Sequence, residues 1–186
     1  MTVPKQQDLV DVIIADHREV EGVFSEIEAS GDARNRRELV EHVITELVRH
    51  SVAEEQYLYP TARKVLPDGD EVADHEIAEH AKAEQVMKRL ERTDAADPAF
   101  EELVRTLIND VRQHIDEEER DLLPRLRAAC DEADLRELGL KFEQTKKIAP
   151  TRPHPAAPDR PPANKILDAG MGLIDRVRDA ITGRNK

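Results

Sequence analysis

A chain of 186 residues with a formal net charge of −12 is long enough for one ordinary domain and an appendage. It is too acidic to offer the basic stripe that nucleic-acid phosphates require. Aromatics make up 3 % of it, with no Trp, so the core has to be aliphatic, and no apolar run approaches the length of a membrane span.

Seven Gly among 186 residues and apolar positions recurring every three or four residues predict helices throughout. The first, about 5–29, carries Val10, Ile13, Ile14, His17, Val20, Phe24 and Ile27 on one face. Ser30-Gly31-Asp32 breaks it, with Asp32 as N-cap of the next. The second, about 33–65, places Leu39, Val43, Leu47, His50, Glu54 and Tyr57 on one face, and Pro67-Asp68-Gly69-Asp70 is a turn cluster. The third, about 71–93, carries Ala73, Ile77, His80, Met87 and Leu90. Asp97-Pro98 then reads as N-cap and first helical residue. The fourth, about 98–129, carries Leu103, Leu107, Val111, His114, Glu118 and Leu122. Four such helices with short connections make an antiparallel up-down-up-down bundle, and a shorter helix at about 131–147 packs against it. Residues 1–148 form this domain. Residues 149–164, APTRPHPAAPDRPPAN, read as a proline-rich linker. Residues 165–186 are an amphipathic C-terminal tail, a candidate for docking a protein partner. Cys130 is alone, which excludes an internal disulfide and fits a reducing cytosol. MTVPKQQDLVD at the start has no secretory apolar region, so the cytoplasm is the expected location.

The chain repeats itself. His50 to Pro60, HSVAEEQYLYP, and His114 to Pro124, HIDEEERDLLP, share H-x-x-x-E-E-x-x-L-x-P at an offset of 64. Upstream, HREVEGVF from His17 and HAKAEQVM from His80 match at an offset of 63. Pro60 and Pro124 recur at one place in both units, where a proline should bend or end the helix.

Residues four apart share a helix face, so His50 with Glu54 and His114 with Glu118 each present an imidazole beside a carboxylate, on the apolar stripe. His17 and His80 lie on the apolar faces of the other two helices. An ionised Glu buried alone is costly. The cost disappears if both carboxylates bridge two cations, each also taking two imidazoles. A solvent-derived oxygen bridge then leaves one position open on an octahedral ion. Mixed nitrogen and oxygen ligation suits transition metals rather than calcium or magnesium. Iron is the choice by chemistry, not by affinity, since zinc would bind at least as tightly.

These residues resemble the hemerythrin-like, HHE cation-binding family. The matching elements are ADHREV around His17, HSVAEEQYLYP from His50, AEH ending at His80 and HIDEEERDLLP from His114, over about residues 5–128. The resemblance implies a four-helix bundle around a non-haem di-iron centre, oxo- or hydroxo-bridged, with His17, His50, Glu54, His80, His114 and Glu118 as ligands. An oxygen-carrying hemerythrin has two His four apart on its third helix; here the place four before His80 is Glu76. That opens a coordination position and speaks against simple reversible oxygen carriage. His75, five residues from His80, falls on another face. Glu119 sits where a carrier-type spacing would put the ligand, but the repeat selects Glu118.

Tyr57 shares the ligand face and reads either as a core residue or as a partner of the centre. Tyr59 turns inward only if the helix bends at Pro60. Glu79 is a candidate hydrogen-bond acceptor for His80. His42 and His154 read as surface or linker residues. The expected function is binding of, or reaction with, a small species (peroxide, dioxygen or nitric oxide) in stress response, with catalase-like peroxide handling as its enzymatic form. The alternative is an iron or oxygen sensor acting through a partner.

Overall fold

The computed structural model describes residues 7–153. Helix α1 (Leu9–Ala29) starts at a capping box: Asp8 accepts from the Asp11 N–H at 2.9 Å, and Asp11 accepts from the Asp8 N–H at 3.5 Å. Helix α2 (Ala33–Ala53) is capped by Asp32, which accepts from the Asn35 N–H at 2.9 Å. A single π-helical turn, Glu54–Leu58, joins α2 without interruption to α3 (Tyr59–Val65). After α4 (Gly69–Arg92), helix α5 (Pro98–Glu117) opens on the expected Asp97 cap and Pro98. A second π-turn, Glu118–Leu122, joins α5 to α6 (Leu123–Ala129), and α7 (Glu132–Ile148) follows. No strand occurs among the described residues. The corner between α3 and α4 closes on bare backbone: a Cβ at Gly69 would stand 2.2 Å from the Ala62 carbonyl oxygen.

Two apolar cores form, one at each end of the bundle. The first contains Phe24, Ile44, Leu90, Phe100 and Leu107; the second contains Leu9, Ile13, Leu58, Leu122 and Phe142. Helix α1 runs from the second core to the first, α2 back, α4 forward and α5 back, which is the expected up-down-up-down order. The layer where each helix passes between the cores holds His17, His50, His80 and His114, all buried. The fold therefore brings the four histidines to one height with apolar packing above and below.

Helix α7 lies against α1 and α2. Its Gly139 permits this, since a Cβ there would meet the Asp8 and Leu9 backbone at 3.0 Å. Residues 149–153, expected to begin the linker, stay on the bundle: the buried Thr151 carbonyl accepts from Thr45 Oγ1 at 3.2 Å. The rest of the proline-rich stretch and the amphipathic tail, with His154, lie outside the described residues.

Candidate metal centre

Each π-turn begins on a carboxylate of the repeat, Glu54 or Glu118. Its closing hydrogen bond runs five residues back, from the Tyr59 N–H to the Glu54 carbonyl and from the Leu123 N–H to the Glu118 carbonyl. The next residue is a proline in both units, and the wider turn removes the clash of its ring with the preceding carbonyls. One extra residue rotates everything beyond it back by about 100°. Tyr59 therefore points into the bundle and is fully buried, whereas Tyr57 is half-buried and accepts from Thr145 of α7 at 3.2 Å. The face expected of Tyr57 on a regular helix belongs instead to Tyr59.

The six residues singled out in the repeat converge. His50 Nε2 is 2.9 Å from Glu54 Oε1, and His80 Nε2 is 3.3 Å from Glu54 Oε2. His17 Nε2 is 3.5 Å and His114 Nε2 3.8 Å from Glu118 Oε2. The rings pair as His17 with His50, centroids 5.1 Å apart, and His80 with His114, 4.9 Å apart. Two overlapping donor groups result, His17/His50/Glu54/Glu118 and Glu54/His80/His114, the atoms of each within 4.8 Å of one another. Glu76, His114 and Glu118 form a third that overlaps the second.

His80 Nε2 and His114 Nε2 lie within hydrogen-bond distance of each other at 3.3 Å, but most of the remaining donor atoms are close without being bonded. His17 Nε2, His50 Nε2, both Glu54 oxygens and Glu118 Oε2 are buried and make no aligned hydrogen bond. Leaving such atoms unpaired costs about 1–3 kcal/mol each, more for charged groups. Two donors about 2.1 Å from one ion and at right angles are about 3.0 Å apart, the spacing of the closer pairs here. Buried donor atoms gathered without hydrogen bonds are what a cation requires, so the residues present fit bound metal.

Every Nδ1 faces outward onto a carboxylate. His17 Nδ1 meets Glu119 at 2.9 Å, His50 Nδ1 meets Asp16 at 3.0 Å and His80 Nδ1 meets Glu55 at 3.2 Å. His114 Nδ1 lies 2.9 Å from Glu76 and 3.5 Å from Glu79. Such partners fix the ring so that Nε2 is the free donor. Glu119 thus serves His17, anchored by a two-pronged contact from Arg18, and does not enter the centre. Glu79 lies against His114 rather than His80, because the residue before a helical His is turned about 100° from it, toward the neighbouring helix. Asp16 and Glu55 carried no expectation, yet both had a signal. Asp16 precedes His17 as Glu79 precedes His80, and Glu55 and Glu119 are the second Glu of the repeated E-E.

The phenol of Tyr59 lies 3.0 Å from His80 Nε2 and donates to Glu118 Oε1 at 3.1 Å. Burial, then the charges of Glu118 and Glu54, push its pKa well above the usual phenol value. Burial opposes the charged form of Glu54, but His50 and His80 outweigh it and hold the carboxyl well below the ordinary range. Burial also works against the imidazolium of His50, and Glu54 and Asp16 overcome it, pushing His50 up to about 10. Burial raises Glu76 more than its contact with His114 lowers it. His75, exposed, pairs with Glu117 at 3.1 Å away from the centre, and His42 is exposed, both as expected.

The decoration is one-sided. Tyr59 and Glu76 add oxygen atoms only at the His80/His114 pair. Helix α7 touches only the other pair: Phe142 packs edge-on against His50 with centroids 5.7 Å apart, and Lys146 Nζ meets Asp16 at 2.6 Å.

The profile of the hemerythrin HHE cation binding domain matches residues 8–126, which leaves α7 beyond the match. An uncharacterised hemerythrin-like protein of Schizosaccharomyces pombe is 31 % identical over 176 residues, covering 94 % of this chain and 87 % of that one. A DNA nickase of Nostoc sp. is 25 % identical over 142 residues, 76 % of this chain but only 40 % of the nickase. The crystal structure of a hemerythrin HHE cation binding domain-containing protein from Mycobacterium kansasii aligns with a TM-score of 0.65 at 26 % identity, over 76 % of this chain and 88 % of that one. With its metal-donor cluster and bundle, the chain belongs to the hemerythrin HHE cation-binding family.

Proposed function

We propose that this protein is a non-haem di-iron protein that reacts with a small oxygen or nitrogen species, hydrogen peroxide foremost, in stress defence. The observation that carries the reading is the convergence of buried His and Glu donors from four helices, with His17 Nε2, His50 Nε2, both Glu54 oxygens and Glu118 Oε2 free of hydrogen bonds. His17 and His50 would hold one ion, His80 and His114 the other, with Glu54 and Glu118 shared between them. Tyr59 and Glu76 would be additional oxygen donors at the second position. No thiol belongs to these groups, and nitrogen with carboxylate oxygen suits iron better than a structural zinc site. A bound pair of iron ions supplies Lewis acidity and electrons for reduction of a peroxide.

The chain's own groups prepare the site. Asp16, Glu55 and Glu119 orient His50, His80 and His17, and Glu76 and Glu79 set a negative charge beside His114. Tyr59 holds a proton at its phenol oxygen against Glu118. A Glu where an oxygen carrier has an imidazole makes the second position richer in oxygen, which favours reaction with peroxide over reversible oxygen carriage. The net charge of −12 argues against carrying a nucleic-acid substrate over from the nickase relative. Elemental analysis of protein purified without chelator, with an absorption spectrum, tests the reading. The expected result is two irons per chain, near-ultraviolet oxo-to-iron bands and consumption of hydrogen peroxide. Chains that take up no stoichiometric iron, even anaerobically, would overturn it.

A further inference from the structure

A cavity of about 130 Å³ opens directly onto the candidate centre, with His17, His50, His80 and His114 in its wall. Glu54, Glu118 and Tyr59 do not line it; they face the opposite end, where Leu58 and Leu122 close the bundle. The cavity is therefore the approach to the imidazole side of the centre. Its remaining wall comes from all four bundle helices; its surface is mostly apolar, from Val20, Leu47, Ala83, Met87, Val111 and Ile115, with Ser51 and Glu79 also reaching it. Lys82, Asp110 and Gln113, all exposed, set its mouth between α4 and α5.

The volume decides what the chamber is for. A dioxygen, nitric oxide or hydrogen peroxide molecule occupies little more space than a water, for which about 10–15 Å³ of this measure suffices. A dry apolar cavity of about 150 Å³ accepts benzene. A chamber of 130 Å³ is thus several times larger than a diatomic ligand needs. The apolar part of its wall rewards burial of hydrocarbon.

We propose that the chamber binds the hydrocarbon part of an alkyl hydroperoxide of about four to six carbons, presenting its O–O group to the metal pair. The substrate class is a small apolar organic peroxide rather than hydrogen peroxide alone. This rests on the di-iron reading of the centre, and the experiment separates the two.

Met87 is the only methionine among the described residues and lies in the chamber wall, so its methyl group reports occupancy. Full-length protein labelled with ¹³C-methyl methionine is loaded with diamagnetic zinc and titrated with tert-butyl alcohol, the alcohol corresponding to tert-butyl hydroperoxide. The Met87 resonance is expected to shift saturably in the millimolar range, and Ala83→Phe, which fills the chamber, to abolish the shift. Ala83→Leu, a smaller change, should weaken it in the same direction. A shift that never saturates, or that survives Ala83→Phe in a folded protein, overturns the proposal. With two ferrous ions bound as the electron source, one turnover (ROOH + 2 Fe²⁺ + 2 H⁺ → ROH + H₂O + 2 Fe³⁺) is expected to consume tert-butyl hydroperoxide at least as fast as hydrogen peroxide, and Ala83→Phe to lower that ratio about tenfold at unchanged iron content. A ratio unmoved by Ala83→Phe also overturns it. Failure to hold iron, with the Met87 response intact, removes the di-iron reading and leaves the chamber's preference for hydrocarbon standing.

Discussion

Glu54 and Glu118 have no exposed surface, so the charge that balances them must lie within a few ångströms. Without a cation, protons on the imidazoles provide it: burial disfavours charged His50, His80 and His114, yet the surrounding carboxylates raise all three. A group raised on folding stabilises fully below its unfolded value, about 6.5 for His, and loses that contribution as pH climbs through its folded value, about 10 for His50. Metal-free protein should therefore melt at a lower temperature at about pH 10 than at about pH 6.5. Metal ions displace the same protons, so loaded protein should lose metal and stability toward acid. Calorimetric melting of chelated and metal-loaded samples across this range is expected to give opposite slopes. Parallel slopes would mean that protons and metal do not compete for the same atoms.

At the level of elements, the turns that close the centre are where the chain departs from α-periodicity. The four helices, their Asp32 and Asp97 caps and the six converging donors follow from period and repeat alone. The tyrosines do not, because regular α-periodicity carries Tyr57 inward, and only a π-turn ahead of Pro60 exchanges it for Tyr59. The repeated proline marked the place without revealing that the helix widens there instead of breaking. Outer partners were obscured for a related reason: Asp16 and Glu79 sit beside one histidine in sequence and serve another in space. Nor does periodicity tell which helices α7 covers. Its Lys146 sits 2.6 Å from the carboxylate that orients His50, placing a positive charge behind one ligand. Lys146→Met removes that charge and should stabilise the more oxidised metal pair. The reduction potential, read by an electrochemical titration, is expected to move negative, with Lys146→Arg restoring it. A potential unchanged in Lys146→Met would limit α7 to packing.

Across the whole molecule, two similar units place two similar histidine pairs around shared carboxylates, and then treat them differently. One pair is backed by Phe142 and Lys146 of α7, the other by Tyr59 and Glu76. The consequence is loading in order. Two unequal positions fill at different metal concentrations, so the chain should pass through a state holding one ion, and oxygen-rich and imidazole-dominated positions should sort a mixture of metals between them. Anaerobic ferrous titration followed by calorimetry is expected to show two separate steps, and supplying zinc with manganese should yield a mixed pair in one chain. A single step taking up both ions at once would mean that the broken symmetry of the surroundings never reaches the metals. Ordered filling would make the ratio of empty, half-filled and full chains follow the metal supply.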